Sequence, residues 1–237
     1  MFDAISPRYD LLNHLLSLGL DYRWRARAIR ALALREGDRV LDLCTGTADL
    51  ALAAVTGRRG RASRVVGVDL AGAMLVRGLE KARARSLGDR VAFVRGDATR
   101  IPLADRSMDA AMIAFGIRNV HDPARACREI ARVLRPRGRL AILEFGLPSV
   151  PGLRQLYLWY FQRVLPRIGR LVSSHGEAYS YLPASVRTFP SPQAFSDVLA
   201  RAGFTAVRAR RLSLGIVYLY LAVKGEEESP QRERRER

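Results

Sequence analysis

The stretch LDLCTGTADL, residues 41–50, joins two apolar segments through a short polar turn. The residues from Val40 to Leu43 have the composition of a buried strand, and a helix is predicted at 47–57. A strand, a tight turn and a helix in this order form the first unit of a parallel α/β sheet. Such sheets bind ligands outside the carboxyl ends of their strands, so the turn is a candidate binding site.

The turn carries too few glycines for a phosphate-binding loop. The dinucleotide motif G-x-G-x-x-G uses glycine so that the backbone can approach pyrophosphate closely. Cys44, Gly46 and Ala48 alternate through the turn, and only one of the three residues is glycine. The motif G-x-x-x-x-G-K-[ST] is also absent, because no lysine follows the turn. A ligand without phosphate is therefore favoured.

Aspartates close three successive predicted strands at this edge of the sheet: Asp42, Asp69 and Asp97. An acid at the end of the second strand can accept hydrogen bonds from ribose hydroxyls. Taken singly, each aspartate is equally well explained as a helix N-cap or a solvated loop residue. Together they favour a ligand with a ribose, an adenine and a cationic centre, such as S-adenosylmethionine. Its own carboxylate is expected to meet the backbone N–H groups of a helix N-terminus.

Composition indicates one globular domain. With 237 residues, 49% of them hydrophobic, the chain suits one large α/β domain rather than two. Cys44 and Cys127 lack the spacing of a zinc site or a redox motif, which favours a reducing, cytoplasmic setting, and no metal is predicted. No signal-peptide pattern is present, and the apolar run 212–223 is far shorter than the roughly 20 residues of a spanning helix. A soluble or peripheral protein is expected.

The formal charge is +17, from 40 basic and 23 acidic residues, and arginine supplies almost all of the positive charge. GC-rich coding is one explanation of such a bias. Attraction to nucleic acid or to an anionic membrane surface is the alternative. Nucleic-acid-binding proteins often concentrate their charge in blocks or interleave it with aromatic residues. Because the arginines here are scattered through every segment, no nucleic-acid partner is predicted.

Apolar periodicity predicts alternating strands and helices over most of the chain. The predicted strands are 39–44, 64–70, 91–97, 109–116, 139–146, 204–212 and 215–223. The predicted helices are 8–34, 47–57, 71–86, 122–135, 151–169 and 192–202. This alternation indicates a mostly parallel sheet covered on both faces. The turn between the last two strands contains Gly215, which predicts a hairpin and therefore one antiparallel pair.

Four blocks of the sequence, in order along the chain, resemble the ubiquinone/menaquinone biosynthesis C-methyltransferase family. They are MFDAISPRYDLLNHLLSLGLDYRW (1–24), AFGIRNVHD (114–122), RVLRPRGRLAILEFGLP (132–148) and YSYLPASVRTFP (179–190). The resemblance runs from about Phe2 to Lys224. The form GTAD at 46–49, rather than GTGD, is more similar to the menaquinone branch of the family.

The sequence departs from the family pattern at several positions. Asp21 stands where the family often has histidine. Ala114 replaces a frequent serine that contacts the cofactor in relatives, so that side-chain contact is not carried over. Arg135, Arg137 and Gly146 stand where lysine, glycine and serine are usual.

The resemblance implies an α/β fold of the class I SAM-dependent methyltransferase type. This fold is a Rossmann-like, seven-stranded sheet with its last strand antiparallel, preceded by N-terminal helices. A methyltransferase domain is expected over 1–225, with a helical cap at 1–35 and an acceptor-side insert at 150–190. A disordered tail is expected at 226–237.

By position, the resemblance also implies contacts to the cofactor S-adenosyl-L-methionine from Thr47, Asp69, Asp97 and Ala98. The turn residues Asp42 and Gly46 complete the expected cofactor site. The family reaction places a methyl group on a ring carbon of a polyprenylated demethylquinol. The implied product is menaquinol, with the ubiquinone branch left open. A homodimer is left open as well.

Carbon methylation of a quinol requires an electron-rich phenolate, and an unperturbed phenol has a pKa near 10. Arg118 stays protonated and can stabilise a phenolate through charge-assisted hydrogen bonds, with Asn119 beside it. An arginine that only anchors its loop remains the alternative. Tyr9 is a candidate for framing the acceptor, or else a core or loop residue. His175 is a candidate general base, although the family pattern requires no histidine there.

The segment 153–172 mixes aromatic residues with arginines, which favours an apolar lid over the prenyl tail or a helix at a membrane interface. An amphipathic core helix explains the same pattern. Two other functions are left open: methylation of another small apolar acceptor, and an RNA-binding methyltransferase. A nonenzymatic scaffold would require a spoiled loop, and the small side chains of Cys44 and Ala48 argue against it.

Overall fold

The computed structural model describes residues 17–56, 64–148, 150–160, 163 and 184–226. The strands are β1 Arg39–Leu43, β2 Arg64–Asp69, β3 Val91–Arg95, β4 Met108–Ala114, β5 Leu134–Phe145, β6 Phe204–Leu212 and β7 Val217–Lys224. The helices include α1 Leu20–Leu32, α2 Asp49–Thr56, α3 Gly72–Ala84, α4 Pro123–Val133, α5 Pro151–Trp159 and α6 Pro192–Arg201. Tyr9, His175 and nearly all of the expected tail lie outside the described residues. Within the described ranges, no helix combines the length and the hydropathy needed to cross a membrane.

The seven described strands form one sheet in the order β3-β2-β1-β4-β5-β7-β6. The pairs from β3 across to β5 are parallel. β7 runs antiparallel to both β5 and β6, so the hairpin predicted around Gly215 is confirmed. A short 3₁₀ turn, Ser213–Gly215, joins β6 to β7. The predicted Rossmann-like sheet with an antiparallel last strand is therefore confirmed.

Most predicted strand boundaries differ from the observed ones by one or two residues, the start of β5 differs by more, and two of these differences have clear local reasons. β3 ends at Arg95, because Asp97 turns the chain by accepting a hydrogen bond from the backbone N–H of Thr99 at 2.8 Å. β5 begins at Leu134 rather than at 139, because Leu134 already pairs with Met108 of β4 before a register shift. Both differences leave the order of the elements unchanged.

Helices cover both faces of the sheet, as predicted. On one face, α1 and α2 pack through buried residues such as Trp24 and Leu52. On the other face, α4 and α6 pack through Ile130 and Phe195. The Trp24 ring also meets Phe145 at the end of β5 edge to face, with 6.3 Å between the ring centroids. Helix α1 therefore reaches the carboxyl edge of the sheet, where the predicted site lies.

Candidate cofactor and acceptor site

The loop between β1 and α2 has a left-handed backbone conformation at every second residue. Cys44, Gly46 and Ala48 have φ angles of 56°, 55° and 69°. Two of these residues carry a side chain, although this conformation typically costs an L-residue about 1–2 kcal/mol. The loop also packs closely against Gly116, because a Cβ added to that glycine would collide with the Cβ of Cys44. The loop thus follows the path of a glycine-rich turn with a single glycine.

Hydrogen bonds from the loop tie the ends of β1 and β2 together. The Thr45 hydroxyl donates to Asp42 Oδ2 at 2.6 Å, and the Thr45 backbone N–H donates to the Val68 carbonyl at 3.1 Å. The backbone N–H of Gly46 donates to Asp69 Oδ2 at 2.8 Å. The N–H of Ala71 donates to Asp69 Oδ1 at 2.9 Å. Asp69 is therefore fixed between the turn and the start of α3.

Asp97 is fixed by a turn of its own after β3. Its Oδ1 accepts hydrogen bonds from the backbone N–H and the hydroxyl of Thr99, at 2.8 and 2.9 Å. The backbone hydrogen bond from Thr99 is the main reason that the pKa of Asp97 lies below its usual value, and His121 and Arg125 add smaller favourable charges. Asp97 therefore presents an ionised carboxylate at this edge of the sheet.

These groups surround a cavity of about 370 Å³, which is within the usual size range of small-molecule sites. The predicted residues in its wall are Gly46, Asp69, Asp97, Ala98 and Asn119. The wall also contains Leu70, Met74 and His121, which the sequence reasoning missed. Leu70 had a signal in the sequence, as an apolar residue placed directly after the acid that ends β2. No local sequence signal marks Met74 or His121, which line the cavity because of the tertiary fold.

The chemistry of this wall fits S-adenosylmethionine better than a phosphorylated nucleotide. Asp69 and Asp97 offer acceptors for ribose or amino groups, and Leu70 and Met74 offer an apolar surface for a base. Among the described residues, neither arginine nor lysine lines this cavity, whereas phosphate sites normally supply such a cation. The geometry agrees with the phosphate-free ligand that the turn sequence favours.

A second, smaller cavity of about 30 Å³, called here the polar recess, adjoins the first. Its lining residues are Arg25, Asp42, Cys44, Thr45, Gly46, Thr47, Asp49, Leu50 and Ala114. Thr47 and Asp42 lie here rather than in the large cavity. Lys81 Nζ donates to the Thr47 hydroxyl at 3.0 Å and to Asp49 Oδ1 at 2.7 Å. Burial raises the pKa of Asp42 to about 7, although the hydrogen bond from Thr45 opposes this shift.

Arg118 forms a buried ion pair with Glu144 of β5. Its Nη1 donates to Glu144 Oε1 and to the Phe115 carbonyl, both at 2.6 Å. The Arg118 side chain is 9% exposed and that of Glu144 is fully buried. Arg118 does not line the large cavity within the described residues, and its Nε is buried without a hydrogen-bond partner there. This arrangement supports the loop-anchoring alternative, and the phenolate role remains a prediction.

Asn119 lies at the wall of the large cavity, and its Oδ1 is buried without a hydrogen-bond partner among the described residues. An unsatisfied buried amide oxygen is uncommon in folded proteins and is suited to a donor on a ligand. Nearby, burial raises the pKa of Tyr157 on α5, while the Arg118 charge opposes that shift. Part of α5 therefore packs beside the Arg118–Glu144 pair, at the acceptor side of the sheet.

Solved structures of methyltransferases have a similar fold. A SAM-dependent methyltransferase from Aquifex aeolicus is 21% identical, with a TM-score of 0.59 over 84% of this chain and 88% of that chain. Phosphoethanolamine N-methyltransferase 2 from Haemonchus contortus, in complex with S-adenosyl-L-methionine, is 15% identical, with a TM-score of 0.65 over 86% of this chain and 53% of that one. At these identities the likeness confirms the class I methyltransferase fold.

Closer relatives are found by sequence. Demethylmenaquinone methyltransferase from Thermus thermophilus is 46% identical over 221 residues, which are 93% of this chain and 98% of that protein. The ubiquinone/menaquinone biosynthesis C-methyltransferase UbiE from Syntrophotalea carbinolica is 48% identical over 220 residues, 93% of this chain and 91% of that protein. A model of the ubiE/COQ5 methyltransferase family matches residues 1–224. The resemblance in the four blocks is confirmed, and the chain belongs to the ubiE/COQ5 methyltransferase family.

Proposed function

We propose that this chain transfers a methyl group from S-adenosylmethionine to a ring carbon of a polyprenylated demethylmenaquinol, in menaquinone biosynthesis. The observation that carries the proposal is the match to the C-methyltransferase family over nearly the whole chain. The cavity supports it, since its acidic and apolar wall suits the cofactor and contains no described cation for a phosphate.

The residues that would hold the cofactor divide between the two cavities. Asp69 would accept hydrogen bonds from the ribose hydroxyls, while Asp97 and Ala98 would contact the adenine. Leu70, like Met74, would pack on the base. Thr47 and Asp42 would lie by the amino-acid head, where the positive charges of the ligand would favour ionisation of Asp42. When bound, the cofactor supplies a methyl group made electrophilic by a sulfonium centre.

The protein must orient the quinol ring and favour its phenolate. Asn119 would serve the first task, which is supported by its amide in the cavity wall and by an Oδ1 that lacks a partner among the described residues. For the second task, Arg118 would use the edge that carries Nε, since Nη1 is engaged by Glu144 and Phe115. Tyr9 remains a proposed contact of the acceptor, and His175 a proposed base.

A lid or membrane-contact role for α5 is part of the proposal. Leu156 and Trp159 of α5 are 59% and 56% exposed, and large exposed apolar side chains in one helix are suited to a lipid surface or a prenyl tail. The test is cosedimentation with anionic lipid vesicles of the protein and of a Leu156→Ser/Trp159→Ser variant. Val76→Ser is the control, because Val76 is equally exposed on α3. Equal binding of all three proteins would contradict the membrane-contact role.

The experiment that tests the proposed reaction compares acceptors. Demethylmenaquinol with a short prenyl tail, a demethylated benzoquinol of the ubiquinone type and a sterol are each incubated with the protein and S-adenosylmethionine. We expect the highest kcat/KM for demethylmenaquinol, and its loss in the Asp69→Ala variant. Methylation of the sterol without methylation of either quinol would replace the proposal with a different acceptor class.

A further inference from the structure

The polar recess contains a cation to which the proposed function gives no role. Arg25 of α1 lines this recess, which shares Cys44, Gly46 and Ala114 with the wall of the large cavity. A volume of about 30 Å³ exceeds the roughly 10–15 Å³ that one water needs. The recess therefore has room for a carboxylate or an ammonium group, but not for a ring.

Among the described residues, the hydrogen bonds of Arg25 occupy one side of its guanidinium group. Its Nη1 donates to Asp21 Oδ2, one helical turn earlier on α1, and Asp21 is itself held by the Ser17 hydroxyl at 2.7 Å. Its Nη2 lies 4.0 Å from Asp49 Oδ2, which is too long for a hydrogen bond. Its Nε is buried and has no hydrogen-bond partner among the described residues. The edge formed by Nε and Nη2 therefore lacks a normal hydrogen bond within the described part of the chain.

That edge presents two parallel N–H donors, the arrangement that binds a carboxylate through two hydrogen bonds. A buried donor without an acceptor destabilises a protein. A bound carboxylate would supply the missing acceptor, so this hydrogen bond would contribute strongly to the binding free energy. The cofactor carries one such group, on the methionyl end that projects from its sulfonium. We propose that Arg25 binds the carboxylate of S-adenosylmethionine in the polar recess, an inference that rests on the proposed cofactor.

This assignment adds a side chain to the expectation from the sequence, in which the carboxylate meets the backbone N–H groups of a helix N-terminus. It also explains the departure at Asp21. The buried Asp21 carboxylate holds Nη1 of Arg25 and so directs the remaining edge of the guanidinium away from it. The competing explanation is purely structural: Arg25 would only link α1 to α2 through Asp49 and stack over the Phe115 ring, 5.7 Å from its centroid.

The two explanations differ in how binding depends on the ligand carboxylate. Calorimetric titrations would compare S-adenosylmethionine with its decarboxylated analogue, which keeps the sulfonium and the ammonium. The variants are Arg25→Gln, Arg25→Lys and the control Arg23→Gln, which removes the same charge from an exposed position on the same helix. Urea unfolding of each variant verifies that it is folded before the titration.

We expect Arg25→Gln to weaken binding of S-adenosylmethionine about 10- to 100-fold, the range for losing charge-assisted hydrogen bonds. Binding of the decarboxylated analogue should stay unchanged. Arg25→Lys should show an intermediate loss, and Arg23→Gln should show none. Equal weakening of both ligands by Arg25→Gln, or no weakening, would overturn the assignment. If the unsubstituted protein binds neither ligand, the proposed cofactor is wrong as well. That result is distinct from an error in the role of Arg25 alone, in which the unsubstituted protein still binds S-adenosylmethionine.

Discussion

Replacing Asp42 by asparagine should make the protein more stable at alkaline pH and weaker in cofactor binding. Asp42 ends β1 beneath the cofactor loop and is 1% exposed. Burial raises its pKa from 3.8 to about 7, a shift of about 3 units. At 1.36 kcal/mol per unit, ionisation of this buried carboxyl destabilises the fold by about 4 kcal/mol.

The sign of the pH dependence follows from proton binding. Between about pH 4 and pH 7 the folded protein holds the Asp42 proton while the unfolded chain has lost it. The contribution of Asp42 to the free energy of unfolding therefore falls as pH rises through this window, and it is constant above it. Asparagine keeps an acceptor for the Thr45 hydroxyl but cannot ionise.

Urea unfolding at pH 4.5 and pH 8 measures this effect. The free energy of unfolding of Asp42→Asn, relative to the unsubstituted protein, should increase by up to about 4 kcal/mol between the two pH values. Asp97→Asn is the matched control, because the pKa of Asp97 is lowered, so this carboxyl is ionised in both the folded and the unfolded chain over this range and its relative stability should stay nearly constant. A difference for Asp42→Asn that is the same at both pH values would refute the reasoning.

The same carboxyl links pH to cofactor binding. A cationic ligand favours ionised Asp42, so the affinity for S-adenosylmethionine should rise between pH 6 and pH 8 and lose this dependence in Asp42→Asn. His121→Gln is the control, because His121 lines the large cavity but not the polar recess that contains Asp42. If Asp42→Asn retained the full pH dependence and His121→Gln lost it, the histidine rather than the aspartate would be the linked group.

Three further predictions concern the loop, the ribose site and the acceptor site. Asp69→Ala should weaken S-adenosylmethionine binding at least tenfold in calorimetry, because it removes both the proposed ribose acceptor and the bond to the turn; unchanged affinity would be contrary evidence. Arg118→Ala should leave Glu144 uncompensated and lower the free energy of unfolding by about 3–5 kcal/mol. Under conditions where this variant is folded, cofactor binding should persist and kcat should fall, and a normal kcat would eliminate the phenolate role. Gly46→Ala should destabilise by about 1–2 kcal/mol in thermal unfolding from its φ of 55° alone, because its Cβ would meet nothing within 4 Å. Gly88→Ala, equally open but without a positive φ, should cost nothing, and equal melting temperatures would contradict the strain.

The sheet was predictable because its signals are local. Apolar runs set each strand, and the turn at Gly215 predicted the antiparallel hairpin that the structure confirms. The acids Asp69 and Asp97 were also predictable, since parallel strands bring their carboxyl ends to one edge. The exact positions of these carboxylates depend on hydrogen bonds that the loop makes only in the folded protein, such as the one from the Gly46 N–H to Asp69.

The features that escaped sequence reasoning depend on distant contacts or on unusual backbone conformations. Glu144, the partner of Arg118, lies on the next strand of the sheet, and no pattern in either block marks the pair. Arg25 reaches the polar recess from a separate helix. Cys44 and Ala48 adopt left-handed conformations that sequence rules assign to glycine, so the glycine-like path of the loop was not predictable from its single glycine.

The most direct test of the central claim follows the methyl group itself. The protein is incubated with demethylmenaquinol and S-adenosylmethionine that carries a trideuterated methyl group, and the extracted quinone is analysed by tandem mass spectrometry. Transfer of the intact trideuteromethyl group to a quinone ring carbon, with S-adenosylhomocysteine as the second product, is the expected result. If the same preparation binds the cofactor but forms no labelled quinone, the claim is contradicted.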